Sequence, residues 1–276
     1  MSRKARFLSL TIYVLSTLLG VLAFVYPFFL PVVQKEATMG QAHAQDAPLL
    51  LTLLVGVCFA ALLLEVQAES GGAKLVALLG ILVSINSILR FAEVAIPGPG
   101  GFSLIFFLIV LTGYVFGGGF GFLMGSLTLL ASGLITGGIG PWLPYQMYTA
   151  GWIGLSARAC GPLVSLLRGR DTWREAVILA AFAGIWGLVY GAIMNIWFWP
   201  FAIGPAEQHW QPGIGVTDTL HRYFVFYAAT SLFWDMSRLV SNVVLILAFG
   251  LPALRVLRRF QRRFIFTYRP DVEGTL

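Results

Sequence analysis

The chain has 276 residues, of which 58% are hydrophobic and 11% are charged, and its formal net charge is +6. Its mean hydropathy is +0.84. A soluble domain carries about 25% charged residues, so the composition excludes that class and predicts an all-α, polytopic helical membrane protein. The positive charge does not indicate nucleic-acid binding, because the basic residues lie mostly at the ends of apolar segments.

Apolar segments long enough to cross a bilayer recur along the chain, since a helical span needs about 20 residues. We predict eight spans, at 8–33, 48–66, 73–95, 102–117, 119–137, 145–167, 175–200 and 222–250. A glycine-rich joint at 117–121 connects the short fourth and fifth spans, so we expect one of them to be tilted or broken. The glycines of this joint, with Gly125, follow no strand and predict close helix packing rather than a nucleotide-binding loop.

The first span resembles a signal peptide at its start, because Arg3, Lys4 and Arg6 precede the apolar run. The run continues to about Val33, beyond the length of a signal-peptide apolar region, which is roughly 7–15 residues. We therefore interpret it as a membrane span. Cleavage at the small-residue sequence of 42–44 stays open as the alternative.

Lysine and arginine predict the orientation of the spans, because cytoplasmic loops carry an excess of both. With the N-terminus in the cytoplasm, the outer loops hold only Lys35 and Arg222. An even number of spans then returns the C-terminus to the cytoplasm. The loops at 97–101, 136–144 and 200–221 face outward, and the last is either a lid over a pocket or a plain connection.

Two aromatic segments end on this outer face, GPWLPYQM at 140–147 and MNIWFWP at 194–200. Rings, amides and prolines at one water–lipid boundary are typical of a pocket that stacks and hydrogen-bonds a small organic molecule. The candidate binding residues of these segments are Trp142, Tyr145, Gln146, Asn195, Trp197 and Trp199.

Charged and amide side chains also lie inside two spans, where such groups usually face a pocket, a partner or each other. They recur at helical spacing in the third span and in the last, at Asn86, Arg90, Glu93, Asp235, Arg238 and Asn242. One interpretation pairs Arg90 with Glu93 and Asp235 with Arg238. The other, compatible with it, makes Asn86, Arg90, Asp235 and Arg238 part of a polar, substrate-binding cavity.

The sequence lacks the motifs of several enzyme classes. It has no G-x-x-x-x-G-K-S/T loop, so we do not expect it to hydrolyse ATP itself. Its three histidines, His43, His209 and His221, lie in predicted outer loops and form no zinc-binding motif. We therefore expect no metal, no cofactor and no enzymatic activity.

Small residues lie four apart at the start of the third span, at Ala73 and Ala77, and continue to Gly80 and Ser84. This spacing lets another helix approach closely. The approaching helix belongs either to this protein or to a partner subunit that docks at the cytoplasmic end.

From about Lys74 to Arg259, some two-thirds of its length, the chain resembles the substrate-binding S components of energy-coupling factor (ECF) vitamin transporters. The resemblance lies in an Ala-x-x-x-Ala start, GYVFG at 113–117, GFGFLMG at 119–125, GPWLPYQM at 140–147, GWIG at 151–154 and YGAIMNIWFW at 190–199. The GPW and MNIWFW segments look most like the cobalamin-type members. The order of the motifs makes the resemblance more specific than any one of them.

The resemblance implies a six-helix S-component core at 71–260, preceded by a two-span hairpin at 1–70 and followed by a basic cytoplasmic tail at 261–276. Such a component sits in the plasma membrane of a prokaryote and binds its vitamin from outside. It docks, here through Ala73 and Ala77, onto a membrane T subunit that is coupled to two cytoplasmic ATPases.

Two features depart from the family pattern, namely the extra hairpin and Arg158, which falls inside a predicted span without an identifiable partner. Two other classes of function stay open. One is an intramembrane enzyme that acts on a lipid, which would need a metal-binding cluster. The other is a membrane assembly protein that binds no ligand.

Overall fold

The computed structural model describes residues 3–29, 42–68, 72–96, 102–202 and 204–264, and these residues form helices and connecting turns without any strand. The α-helices, in chain order, are α1 (Arg3–Val25), α2 (Ala47–Ala68), α3 (Gly72–Ala95), α4 (Ile105–Phe116), α5 (Gly118–Thr136), α6 (Leu143–Ala157), α7 (Cys160–Leu166), α8 (Trp173–Phe198), α9 (Val216–Thr230) and α10 (Leu232–Phe264). Short 3-10 turns, Tyr26–Phe28 and Trp199–Phe201, follow α1 and α8.

Six helical segments in the described part of the chain are long and apolar enough to cross a membrane. They are Phe7–Phe28, Ala47–Leu64, Gly72–Ala95, Gly118–Thr136, Trp173–Phe201 and Leu232–Arg262. The protein is therefore a polytopic helical membrane protein, and the predicted fold class is confirmed.

The fourth and sixth predicted spans are shorter than expected. Helix α4 has 12 residues and ends at Phe116, before Gly117, whose φ of 107° is accessible to glycine but strained for other residues. The predicted span 145–167 is divided between α6 and the seven-residue α7. Arg158 caps the C-terminal end of α6 and is exposed, so it does not lie inside a continuous span.

The last predicted span is wrong in both boundaries. Its first part lies in α9, which ends at Thr230, and α10 begins at Leu232 and continues for 33 residues to Phe264. The predicted tail thus begins inside a helix, where Gln261 Nε2 donates a hydrogen bond to the carbonyl of Val115 at 2.6 Å. Hydropathy missed both points because the short polar pair Thr230 and Ser231 lies between apolar residues and because arginine is a good helix former.

Glycines let α5 and α6 approach until their backbones touch, as the glycine pattern predicts. A Cβ built on Gly154 would lie 2.7 Å from the Cα of Gly121 and closer still to its carbonyl group. A Cβ on Gly125 would lie 2.8 Å from the backbone nitrogen of Gly151. Such separations leave no room for a methyl group, so these positions require glycine.

A second glycine row joins α8 to α10. A Cβ on Gly187 would lie 2.9 Å from the backbone nitrogen of Leu239, and one on Gly184 would lie 2.9 Å from Val243. At Gly191 it would overlap the carboxylate of Asp235. The missing side chain at Gly191 is therefore what admits the buried Asp235 between the two helices.

The two N-terminal helices, α1 and α2, are in direct contact with the helices of the predicted core. The rings of Tyr13 and Phe122 meet edge to face at 5.4 Å between centroids. Gly20 lies against Tyr148, since a Cβ there would approach that ring to 2.7 Å. Leu54 and Cys58 of α2 are buried as well. The boundary at residue 70 stays a prediction.

A buried ion-pair cluster joins α10 to α4 and α8 at one end of the bundle. Arg258 pairs with Glu175 and with Asp171, and its Nη1 donates to Glu175 Oε2 at 3.0 Å. The Tyr114 hydroxyl donates to Glu175 Oε1 at 2.6 Å. These four residues are the Arg258 cluster, and they define one end of the molecule.

Candidate functional site

At the opposite end, residues 42–46 form a turn that enters the space between α6 and α8. His43 of this His43 turn is 3% exposed, and its φ of 57° is uncommon for a residue other than glycine. Ala42 is fully buried. Ala42 and His43 of the 42–44 sequence, which resembles a cleavage site, are thus buried in the protein, whereas Ala44 is exposed.

Hydrogen bonds fix His43 between three elements. The Tyr145 hydroxyl donates to Asp46 Oδ2 at 2.6 Å and lies 2.7 Å from His43 Nδ1. His43 Nε2 lies 3.0 Å from the carbonyl oxygen of Trp197. Since a carbonyl only accepts, Nε2 carries a proton and donates it.

Asp46 completes this network from the protein surface. Its Oδ2 lies 3.0 Å from His43 Nδ1, and its side chain is 30% exposed. Burial alone would raise the pKa of Asp46, but the close contact with His43 and the hydrogen bond from Tyr145 stabilise the carboxylate and bring its pKa below the ordinary 3.8.

Aromatic rings surround the same histidine. Trp197 stacks on it at 5.7 Å between centroids, and Phe201 meets it edge to face at 4.8 Å. Tyr145 and Trp197, two of the predicted binding residues, lie 6.1 Å apart. We call these residues, His43, Asp46, Tyr145, Trp197 and Phe201, the His43 cluster.

One polar atom in the His43 cluster lacks a partner. Trp197 is 4% exposed, and its Nε1 is buried without a hydrogen-bond acceptor among the described residues. A buried donor left unpaired costs about 1–3 kcal/mol. An acceptor atom of a bound molecule would remove that cost.

Trp199 lies beside the His43 cluster and holds the loop that follows α8. Its Nε1 donates to the carbonyl of Gln208 at 2.8 Å. Its ring packs against Phe28 at 5.8 Å and against Tyr223 at 5.0 Å. Phe28 in turn meets Trp210 at 5.4 Å. The loop therefore covers this end of the bundle through contacts with both the hairpin and α8.

A second group of predicted residues gathers around Tyr190. Asp235 pairs with Arg238, as one interpretation of the sequence predicts, and accepts a hydrogen bond from the Ser231 hydroxyl at 2.7 Å. The Arg238 guanidinium lies 5.2 Å from the Tyr190 ring centroid. Glu93 accepts from the backbone of Leu104 at 3.4 Å. We call Glu93, Tyr190, Asp235 and Arg238 the Tyr190 cluster; Arg90 is close enough to interact electrostatically with Glu93.

Two tyrosines of α9 connect the two clusters. Tyr223 packs on Trp199, and its ring stacks with Tyr227 at 6.4 Å between centroids. Tyr227 lies within electrostatic range of Asp235. Aromatic and polar side chains thus continue from the His43 cluster to the Tyr190 cluster.

Four other predicted residues are not members of these clusters. Trp142 donates to the carbonyl of Gly138 at 3.2 Å, within its own loop. Asn86 is fully buried and donates to the carbonyl of Ile105 and to the Thr128 hydroxyl at 3.2 Å each, and neither partner belongs to the two clusters. Asn195 donates to the Thr230 hydroxyl at 3.2 Å. Gln146 is half-buried on α6, and the binding roles of all four stay predictions.

Comparison with known proteins gives no family for this chain. No protein-family model matches it, and neither the curated proteins nor the solved structures contain a match. Among the residues that the structure describes, no group of three or more histidine, cysteine, aspartate or glutamate side chains could hold a metal ion.

Sequence reasoning missed His43 and Asp46 as members of the site. The two residues stand three apart, immediately before the apolar run of α2, at the predicted outer end. That spacing permits the contact between them, but Tyr145 lies 102 positions from His43. The sequence could therefore have indicated the pair of His43 and Asp46, but the contact with Tyr145 follows only from the fold.

We expect Asp46→Asn to weaken the attachment of the His43 turn by about 1 kcal/mol, a modest value because the carboxylate is partly exposed. The folded-state pKa of Asp46 lies below 3.8, so its stabilising charge is present above that value and is lost as the pH falls through the lowered pKa. The wild type should therefore be more stable than Asp46→Asn at neutral pH, and this difference should disappear in acid. Thermal unfolding in detergent across pH measures it.

Asp218→Asn is the matched control, because Asp218 is an exposed acid in the first turn of α9. It should leave the acid dependence of stability as it is in the wild type. An Asp46→Asn protein whose stability follows that of the wild type at every pH would contradict the predicted role of the Asp46 charge.

Proposed function

We propose that the chain is the substrate-capture subunit of an ECF-type importer that binds a vitamin or a related micronutrient. The order of motifs that resembles the S components supports this proposal, and so does the gathering of Tyr145, Trp197 and Trp199 at one end of the bundle. Cobalamin is the substrate that the resemblance favours.

The observation that carries the proposal is the indole nitrogen of Trp197, which is buried without a hydrogen-bond acceptor among the described residues. It lies among stacked rings, next to the Tyr145–His43–Asp46 hydrogen bonds, at the end where the outer loops meet. A planar or ring-bearing ligand with a hydrogen-bond acceptor fits such surroundings, because it stacks on the rings and accepts from the indole. We place the substrate at the His43 cluster, with Arg90, Asp235 and Arg238 as a polar extension.

The proposal includes an orientation and partners. The excess of arginine at the end of the Arg258 cluster supports cytoplasmic N- and C-termini in the plasma membrane of a prokaryote. Ala73, Ala77, Gly80 and Ser84 are all exposed along α3, and this supports docking of a T subunit and its two ATPases on that face. Substrate would then enter from outside, at the His43 cluster.

Replacing Trp197 by phenylalanine tests the proposal, because the ring remains while the donor is removed. We expect Trp197→Phe to weaken ligand binding about tenfold, and Trp197→Ala about tenfold to a hundredfold. Small molecules that co-purify with the chain are first identified by mass spectrometry. Their affinities, and that of cyanocobalamin, are then measured by calorimetry.

Trp173→Phe is the control, because Trp173 is 67% exposed at the start of α8, the end of that helix remote from Trp197. Equal affinities of Trp197→Phe and Trp173→Phe would contradict the assigned site. A chain that binds no co-purifying molecule and no vitamin would contradict the function and favour an assembly protein. Turnover of an added lipid would favour the enzyme.

A further inference from the structure

Six arginines are exposed at the end of the Arg258 cluster. Arg168, Arg170 and Arg174 lie around the turn between α7 and α8, and Arg255, Arg259 and Arg262 follow one face of α10 at i, i+4 and i+7. Arg258 contacts Asp171 and Glu175, so it joins the turn to α10 and brings the two groups to one surface. We call this surface the arginine face.

No acidic side chain in the described part of the chain forms an ion pair with the exposed arginines of the arginine face. The acidic groups of this turn, Asp171 and Glu175, are both engaged by Arg258. Tyr114 and the backbone of Asp171 also bond to the Glu175 carboxylate. None of the six exposed arginines forms an ion pair with a described residue, so their charge is available to an external anion.

Exposed apolar side chains fix the depth of the arginine face in the membrane. On α8, Trp173, Val177 and Ile185 are 67%, 42% and 60% exposed and follow one side of the helix at intervals of four and eight residues. That side faces lipid, because α8 belongs to a membrane-spanning segment. Trp173 stands at its end, the level at which tryptophan meets the headgroups.

The arginines begin where this lipid-facing side ends. Arg174 directly follows Trp173, and Arg168 and Arg170 lie in the turn just before it. Leu166 of α7, next to these arginines, is 78% exposed. A surface that combines apolar side chains with unneutralised arginines at headgroup level matches the phosphate and upper acyl region of one lipid leaflet.

We propose that the arginine face binds anionic phospholipid headgroups, with the guanidinium groups on lipid phosphate and Trp173 and Leu166 among the acyl chains. An acidic protein would satisfy the charges, but the exposed apolar residues beside them favour lipid. The proposal depends on the membrane character of the chain and not on the identity of any transported substrate.

Competition between two lipids tests this binding. The full chain in neutral detergent is mixed with equal amounts of phosphatidylglycerol and phosphatidylcholine, and the lipids retained are counted by native mass spectrometry. We expect the wild type to retain phosphatidylglycerol preferentially. Arg168→Gln/Arg170→Gln/Arg174→Gln should reduce that preference by up to about a hundredfold, since each of the three surface arginines contributes about 1 kcal/mol, or roughly fivefold.

Arg222→Gln is the control at the other end of the bundle, where Arg222 Nη1 donates to the carbonyl of His209. It should retain phosphatidylglycerol as the wild type does. If the wild type retains both lipids equally, the proposal is overturned and an acidic protein becomes the favoured partner of the arginine face. The proposal is also overturned if the triple variant is folded and retains phosphatidylglycerol with an unchanged preference.

Discussion

Gly154→Ala is expected to prevent α5 and α6 from packing and to lower the stability of the folded chain by about 3 kcal/mol or more. The added methyl group would meet the Cα of Gly121 at 2.7 Å and its carbonyl group more closely. Both obstacles are backbone, so neither can rotate away as a side chain would. The two helices would have to separate along their length.

Thermal unfolding in detergent, with size-exclusion profiles before heating, measures this effect. Gly80→Ala is the matched control, because Gly80 also lies in the interior of a helix but its Cβ would meet nothing within 4 Å. Alanine favours a helix over glycine by roughly 0.5–1 kcal/mol, so the control should be neutral or slightly more stable. Equal unfolding midpoints for the two variants would disprove the backbone contact between α5 and α6.

Arg258→Ala is expected to destabilise the chain by about 3–5 kcal/mol, because it leaves a buried carboxylate without its counter-charge. Glu175 is fully buried, and Arg258 is its cationic partner among the described residues. The loss also separates α10 from the turn before α8, where Arg258 reaches Asp171. Urea or thermal unfolding in neutral detergent provides the measurement.

Two further variants distinguish loss of the ion pair from loss of a side chain. Arg255→Ala removes an exposed arginine one turn earlier on α10 and should change stability little. Glu175→Gln/Arg258→Met removes both charges and should recover much of the stability, because apolar replacement of a buried pair is often neutral. If the double variant is as unstable as Arg258→Ala, the effect is not electrostatic.

The fold class could be predicted from the sequence, because the hydropathy of a segment depends only on the residues within that segment. A window of about 20 apolar residues identifies a membrane helix whatever surrounds it, and the glycines at 121 and 125 predict close packing in the same way. The break at Ser231 is different. Nothing in its neighbours forbids a helix, and the tertiary position of α9 between Trp199 and Asp235 decides it.

The candidate site could be predicted in its aromatic members but not in their arrangement. Tyr145 and Trp197 lie at matching helix ends, and topology alone brings them together. Trp142 belongs to the same motif as Tyr145, but its indole nitrogen donates a hydrogen bond to the carbonyl of Gly138, four residues away. That choice depends on local loop geometry, which composition does not contain. The contact of His43 with Trp197 spans 154 positions and leaves no trace in either segment.

Helices α8 and α10 are pinned to each other at two distant points. Asp235 is seated on Gly191 near one end, and Arg258 is bonded to Glu175 near the other. Along α8 these points are about 24 Å apart, at 1.5 Å per residue. A translation of one helix along the other would break both of these contacts at the same time. Any movement of one of these helices must therefore carry the other with it, so that the pair tilts or rotates as one rigid body.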